Sequence, residues 1–498
     1  MDDPKGVTIR ANEILGRGGE SIEAAEIVRA GRAFAAWIAA APPSGEARRV
    51  AIAADARPSS ADLRDALVRG LASGGLTVAD LGHAPPAVLL TSMRRLRLDG
   101  GLAVTGGHLP LDRNGVRLYL RERPLAADEV RAVLRRARDL PEERLLPVRG
   151  SVTRINMIPD YIRGLERAFA PLRRRLKHQS IHVVVAACRG IASLTAPHAL
   201  SRIGCRVFRL GCTLDPGANG SAPDPSDPAL LRELGLTVRA SRADLGVLLG
   251  GDGERVRVVD HRGRAVTPDL LLALLAADTA AAIPGAAVAC DVRMSDLVDE
   301  AVEAWGGRVV LGRPGESTFL ESPRLREASL GGEAEGVLTF RDRSAAPADG
   351  TYAALRLIDL LARKREEADR PLPLRAILPS ERFRSPDLDL EHTLTYWNFN
   401  QLADRLRARA LPLGQVRTLH VDPDYAVRLR TDDGWGVLFR SPDSGAPRAA
   451  YEGRTDEGFH RMGALFRGAL GPPAEEQAAS RAADGAGGRN QAGSSPRR

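Results

Sequence analysis

The side chains of this chain that could do chemistry gather on four short, glycine-rich loops. The first, Thr105-Gly106-Gly107-His108-Leu109-Pro110, carries a hydroxyl and an imidazole in a turn that no regular element would tolerate. The second, Gly250-Gly251-Asp252-Gly253-Glu254-Arg255, sets two carboxylates at alternate positions. Such a pair could hold a weakly bound cation, although an ordinary solvated turn is the simpler reading. The third, Gly331-Gly332-Glu333-Ala334-Glu335-Gly336, adds two more carboxylates. The fourth is Arg440-Ser441-Pro442-Asp443-Ser444-Gly445. Its guanidinium, the hydroxyls of Ser441 and Ser444 and the loop N–H groups through Gly445 could cradle an anion. Asp443 works against that, and a solvent-facing turn explains the stretch equally well. A further run, Gly16-Arg17-Gly18-Gly19, hints at a dinucleotide loop, but its spacing is incomplete and no strand is predicted before it.

Each loop needs an element to deliver it. Residues 50–54 and 76–81 read as apolar strands, and Leu63, Ala66, Leu67, Gly70 and Leu71 between them form one buried helical stripe, with Ser60 placed to cap the helix. A strand at 102–104 runs into the first loop and one at 245–249 into the second, while 337–340 follows the third. Further strands at 182–186 and 309–311 and amphipathic helices at 228–234 and 352–363 complete three similar units of α/β type. Past Arg370, Pro371-Leu372-Pro373-Leu374 reads as a linker. Beyond it, Tyr425, Val427 and Leu429 alternate with Ala426, Arg428 and Arg430. Asp432-Asp433-Gly434 then turns the chain into Trp435, Val437 and Phe439, a half-buried hairpin in an α+β domain. The expected division is 1–150, 151–264, 265–370 and 371–470, with 471–498 too poor in large apolar residues to stay ordered.

Composition limits the function classes. With 498 residues the chain should form three or four domains, and 44% apolar with 27% charged residues is ordinary for a soluble protein. No apolar run approaches the ~20 residues of a bilayer span, so no membrane partner is expected. Residues 1–6 resemble neither a secretory signal nor a transit peptide, and a cytoplasmic location is expected. Cys188, Cys205, Cys212 and Cys290 form no CxxC pair and read as small buried apolar residues rather than zinc ligands. The net charge of +8 comes from scattered residues, nearly all Arg, and aromatics are only 4%, so no nucleic acid is expected as partner.

The order of motifs resembles the α-D-phosphohexomutases, the phosphomannomutase/phosphoglucomutase family, over roughly residues 8–468. Asp55-Ala56-Arg57-Pro58-Ser59-Ser60 is similar to the family's Asp-Gly-Arg-x-Ser-Ser. His108-Leu109-Pro110 followed by Asn114-Gly115-Val116-Arg117 matches its His-Asn-Pro-x-x-Tyr-Asn-Gly-Phe-Lys in spacing. Pro223-Asp224-Pro225-Ser226 and Ala243-Asp244-Leu245-Gly246 precede the second loop as Pro-Asp-Pro and Ala-Asp-Leu-Gly do there. The resemblance implies three α/β/α mixed-sheet domains and a smaller C-terminal α+β domain around a central cleft. It also implies transfer of phosphate between the 1- and 6-positions of a hexose through a phosphoserine, with Mg²⁺ held by three Asp side chains and that phosphate.

Set against that pattern, the scaffold motifs persist and the chemical ones differ. The nucleophile position is Gly107, which has no oxygen to carry a phosphoryl group. Thr105 and His108 are the neighbouring alternatives. The metal loop lacks one carboxylate, at Gly250, and has the longer Glu254 beside Asp252, so Mg²⁺ should bind weakly or not at all. The lysine after the catalytic loop is Arg117, which keeps a charge but cannot act as a base. The family's Tyr-Asp-Ile-Arg-Gly corresponds to Asn12-Glu13-Ile14-Leu15-Gly16, putting Leu15 at its arginine. In the sugar loop Glu333 remains, while Glu335 and Val337 replace Ser and His, and Glu316 replaces a second His. The phosphate clamp, Arg-Pro-Ser-Gly-Thr-Glu-Pro in the family, is one residue longer here, with Arg440, Ser441, Ser444 and Gly445 as its phosphate-contacting candidates. The expectation is a homologue with little or no mutase turnover that binds a hexose phosphate or a protein not named by the sequence. The alternative is an active mutase with a non-serine carrier.

Overall fold

The computed structural model describes residues 8–10, 13–17, 24–41, 48–121, 123–140, 149–215, 222–314, 327–342, 346, 348–385, 388–389, 398–410, 416–422, 425–441 and 445–470. The chain forms two compact units, one of residues 1–291 and 297–379, the other of 292–296 and 380–498.

The first unit opens with strands β1 (Thr8–Arg10) and β2 (Glu13–Arg17), helix α1 (Ala24–Ala40), β3 (Arg49–Ala54), α2 (Ser60–Ser73), β4 (Thr77–His83), α3 (Pro86–Leu96), β5 (Gly100–Val104), β6 (Arg113–Leu120), β7 (Arg123–Pro124), α4 (Ala127–Arg138) and β8 (Ser151–Arg154). They make a mixed sheet in the order β1-β2-β6-β5-β3-β4-β8, with β7 beside β6. β3 runs parallel to β4 and β5, and β6 antiparallel to β5 and β2. Leu63, Ala66, Leu67, Gly70 and Leu71 are all buried, so the predicted stripe is the face α2 turns to its neighbours. Ser60 does not cap that helix: Ser59 occupies the cap position without a side-chain bond. The Ser60 hydroxyl donates instead to Asp55. Gly16 and Arg17 lie inside β2, which is antiparallel to its partners, whereas a dinucleotide turn follows a parallel strand; Gly18 and Gly19 lie outside the described residues.

The next elements are α5 (Ile158–Ala168), α6 (Ala170–Arg175), β9 (His182–Ala186), α7 (Ala196–Ile203), β10 (Arg206–Leu210), α8 (Pro228–Ser241), β11 (Leu245–Leu249), β12 (Val256–Asp260) and β13 (Ala265–Val266). Their sheet is ordered β10-β9-β11-β12-β13, parallel across the first three strands and antiparallel after. A third set follows: α9 (Pro268–Ala282), β14 (Ala287–Asp291), α10 (Leu297–Glu303), β15 (Arg308–Gly312), β16 (Leu330–Gly332), β17 (Leu338–Phe340) and α11 (Gly350–Ala368). Its sheet repeats the arrangement as β15-β14-β16-β17. Pro371-Leu372-Pro373-Leu374 is no free linker: Leu374 is buried and the Leu372 carbonyl accepts from Arg365 Nε at 2.8 Å.

The second unit holds β18 (Phe383–Arg384), β19 (Leu388–Asp389), α12 (Phe399–Ala410), β20 (Val416–Asp422), β21 (Ala426–Thr431), β22 (Gly434–Arg440), β23 (Pro447–Gly453) and α13 (Asp456–Leu470). The strands form one antiparallel sheet, and Leu402, Leu406, Val427, Leu429, Met462 and Phe466 belong to the core between it and the helices. The hairpin β21–β22 is not half-buried as its alternation predicts, because Arg428 and Arg430 are also inside. Residues 292–296 explain it. Arg428 donates to the Val292 carbonyl at 3.2 Å and lies 4.7 Å from the Trp435 ring. Asp296, fully buried, sits 2.5 Å from Arg454, 3.0 Å from Arg382 and 3.7 Å from Arg430. A guanidinium is tolerated inside only with such partners. The tail, 471–498, lies outside the described residues.

Candidate functional site

In all three sheets of the first unit, a loop leaves the carboxyl end of a parallel strand and returns as an antiparallel one: β5 to β6, β11 to β12, β16 to β17. That end of an open α/β sheet is where loops are free of crossover helices and ligands are usually met. β3 ends there too, and delivers Asp55.

Asp55 organises the first loop. One carboxylate oxygen accepts from the Arg57 N–H at 3.0 Å and from Ser60; the other takes the Thr105 hydroxyl at 2.8 Å and the Gly106 N–H at 3.3 Å. Asn114 ties the returning strand to the same place, donating to Ser59 and Ser60 at 2.9 Å each. Arg57, 3% exposed, fills the loop's interior. Nη1 donates to the carbonyls of Pro110 at 2.6 Å and Arg113 at 2.8 Å, and Nη2 to those of Gly107 at 2.9 Å and Leu109 at 2.6 Å. Burial lowers the basicity of this guanidinium, and Asp55 and Asp252 pull it back up.

The loop so held presents Gly107 at φ +58°, a left-handed conformation that costs glycine nothing. A Cβ built there would lie 3.2 Å from Asp252 Oδ2 and 3.8 Å from Arg117 Nη2. The geometry thus brings Gly107, Asp252 and Arg117 together. Arg117 bridges the second loop's carboxylates, with Nη1 at 2.5 Å from Glu254 Oε2 and Nη2 at 3.5 Å from Asp252 Oδ2. His108 Nε2 stands 3.3 Å from Arg255 Nη2. Thr105 is buried, and its hydroxyl accepts the Gly107 N–H at 3.0 Å while donating to Asp55. Among the described residues no three His, Cys, Asp or Glu side chains gather as a group that could hold a metal ion.

The second loop is pinned on several sides. Gly253 has φ +83°, and the Glu254 N–H bonds Asp252 Oδ1 at 3.1 Å. The Ile191 N–H reaches the Gly251 carbonyl at 2.9 Å from a turn in which Cys188 and Arg189 both adopt positive φ. Two consecutive non-glycine residues in that region are a strained feature of the kind that marks working loops. Cys188 and Cys212 are part-exposed, unlike the buried Cys205 and Cys290; burial pushes the Cys188 thiol up to about 12, far from a reactive thiolate.

The third loop meets the second. The Val256 N–H donates to the Gly336 carbonyl at 2.9 Å, and Arg255 pairs with Val337 across an isolated antiparallel bridge. Glu333 is buried within the turn and Glu335 is part-exposed. Glu316 and Asn12 lie outside the described residues; Leu15 is buried in β2 opposite Gly115. In the second unit, the Ser441 N–H donates to the Ala446 carbonyl at 2.7 Å and the Gly445 N–H to the Ser441 carbonyl at 2.8 Å. Those two N–H groups therefore serve the turn itself. Arg440 and Ser441 are part-exposed, Gly445 is exposed at φ +71°, and Ser444 lies outside the described residues.

Sequence reasoning missed the roles of Asp55, Arg57 and Asn114, although all three stand in quoted motifs. It also missed Asp349, the N-cap of α11, whose carboxylate accepts from the Tyr161 hydroxyl at 2.9 and 3.0 Å and from the Tyr352 N–H at 3.0 Å. The Gly350 N–H beside it holds the Gly253 carbonyl at 2.9 Å. An Asp before a helical run was the available signal.

Family models described as phosphoglucomutase/phosphomannomutase α/β/α domains I, II and III match residues 7–143, 159–263 and 267–373. A phosphomannomutase/phosphoglucomutase of Pseudomonas aeruginosa is 29% identical, over 93% of this chain and 95% of its own length. A phosphoglucomutase of Neisseria gonorrhoeae is 26% identical, over 93% and 96%. The crystal structure of a phosphoglucomutase/phosphomannomutase family protein from Burkholderia thailandensis superposes with a TM-score of 0.77 at 28% identity, covering 93% of this chain and 96% of that one.

Proposed function

The chain belongs to the α-D-phosphohexomutase family, and from that premise we propose that it is a cytoplasmic hexose-phosphate-binding member with little or no mutase turnover. The observation that carries the reading is residue 107. A phosphoryl relay needs an oxygen or nitrogen nucleophile at the loop apex, and a glycine sits there, facing Asp252 and Arg117. Thr105 is a poor substitute, because its buried hydroxyl is committed to Asp55 and to the Gly107 N–H. His108 Nε2 accepts from the Arg255 guanidinium at 3.3 Å, so the lone pair that would attack phosphorus is engaged by a donor.

The donor set supports the same reading. Two carboxylates, both engaged by Arg117, do not fit an ion that demands near-octahedral oxygen coordination. Phosphate transfer would then lack the charge neutraliser it depends on. A hexose phosphate remains the ligand class that the names of the relatives favour, with a protein partner as a further role. Glu333 and Glu335 are the candidate contacts carried by the first unit, and Arg440, Ser441, Ser444 and Gly445 are, separately, those carried by the second.

The test is purified protein given glucose or mannose 1-phosphate with glucose 1,6-bisphosphate and Mg²⁺. No conversion to the 6-phosphate is expected, whereas melting temperature should rise with at least one hexose phosphate, since a ligand selective for the native state stabilises it. Turnover at rates typical of mutases, with phosphopeptide mapping of a phosphate to Thr105 or His108, would establish the active alternative instead.

A further inference from the structure

We propose that Arg117 is the resident cation of this pocket: its guanidinium occupies the place between Asp252 and Glu254 that a divalent ion would need, and makes the loop independent of metal. Three observations converge. Arg117 spans both carboxylates, 2.5 Å from Glu254 and 3.5 Å from Asp252. Its Nη2 reaches to 3.8 Å from where a Cβ on residue 107 would stand, so the positive charge lies in front of the loop apex. Its backbone is fixed in the middle of a sheet, with Ala103 on one side and Glu13 on the other.

The chemistry makes the replacement permanent. A guanidinium keeps its proton at any working pH and can address two carboxylates at once through its planar fork, which a lysine ammonium cannot. Asp252 also acts on a second guanidinium, that of Arg57, holding up its basicity against the effect of burial. A divalent ion would have to expel Arg117 and then find oxygen ligands at ~2.0–2.1 Å from only two side chains. At Gly250 a Cβ would stand in ordinary contact, 3.4 Å from Arg255 Cβ and from Pro225 Cδ, and no third carboxylate is present there.

The inference deepens the reading above, and only its ligand arm rests on it. Mn²⁺ serves as the probe, titrated into the purified full chain and followed by water-proton relaxation. Wild type should show no saturable site. Arg117→Met should gain one, at least about tenfold tighter than any wild-type binding, and adding Asp252→Asn should remove the gain. Should Arg117→Met not fold, Arg117→Lys keeps the charge without the two-carboxylate bridge and should gain in the same direction by less. A saturable wild-type site lost in Asp252→Asn would overturn the proposal, as would Arg117 variants that fold and gain nothing. In parallel, the melting shift given by glucose 6-phosphate should be equal in EDTA and in Mg²⁺. No shift in either condition, with the Mn²⁺ results as expected, would remove the sugar-phosphate reading and leave the role of Arg117 standing.

Discussion

Arg57 holds three carbonyls of the first loop and that of Arg113, where β6 begins, with its two terminal nitrogens, while its Nε lies 3.4 Å from Asp55. Truncation would strip those carbonyls of their donors and leave the Asp55 carboxylate without its guanidinium in a buried site. Arg57→Ala should therefore cost about 3–5 kcal/mol, read as the loss of the first transition in urea unfolding, and Arg57→Lys should recover little because an ammonium cannot serve four acceptors in a plane. A loss below about 1 kcal/mol would mean that water replaces the side chain and that the loop needs no internal support. At this scale part of the site was legible. Gly107, Asp252, Glu254 and Arg117 could be picked from their motifs; that Arg117 lies on both carboxylates could not, because residue 117 and residues 252 and 254 meet only through tertiary packing.

Between α1 and α2 the packing is backbone on backbone. A Cβ on Gly70 would stand 2.3 Å from the Val28 carbonyl oxygen and 3.0 Å from the Gly31 Cα. Two effects oppose each other in Gly70→Ala: helix propensity favours alanine by about 1 kcal/mol, and overpacking costs about 1–3 kcal/mol. Because the obstacle is main chain and cannot swing away, overpacking should win, and Gly70→Ala should lower the thermal midpoint despite the better helix former. An unchanged or higher midpoint would show that the two helices can separate without loss. The stripe that includes Gly70 was visible in the sequence from its spacing, since a helix has to bury one face. What it faced was not visible, and neither was the covering of Arg428 and Arg430: a period of two marks which side chains share a face of a strand, but both faces of this hairpin are covered, one of them by residues 292–296 far away in the chain.

Across the first unit, Asp349 joins α5 to the start of α11 and, through Gly350, to the turn at Gly253. Burial raises its carboxyl from 3.8 to about 6, outweighing the N–H and hydroxyl bonds that favour the anion. The folded state thus holds this proton more tightly than the unfolded chain does. The sign follows: the group's contribution is most favourable below about pH 4, and stability is lost as pH rises toward 6, by on the order of 3 kcal/mol over that window. Asp349→Asn keeps an acceptor for the Tyr352 N–H and removes the titration. The difference in melting temperature between variant and wild type should accordingly grow in the variant's favour from pH 4 to 7; a difference independent of pH would show that Asp349 is ionised in the folded state throughout.

What the sequence by itself determined is what local pattern and motif order can encode. Alternating strands and striped helices specify three α/β units, the glycines specify where the chain turns, and the absence of a side-chain oxygen at residue 107 is a fact of residue type that no folding can alter. Only the tertiary structure decided where the charges meet. Arg117 neutralises Asp252 and Glu254 across 135 and 137 positions of chain, and Asp296 serves arginines more than eighty positions away, because sheet register and loop packing bring distant groups within bonding reach. Coulombic attraction depends on separation in space, and sequence fixes separation only along the chain.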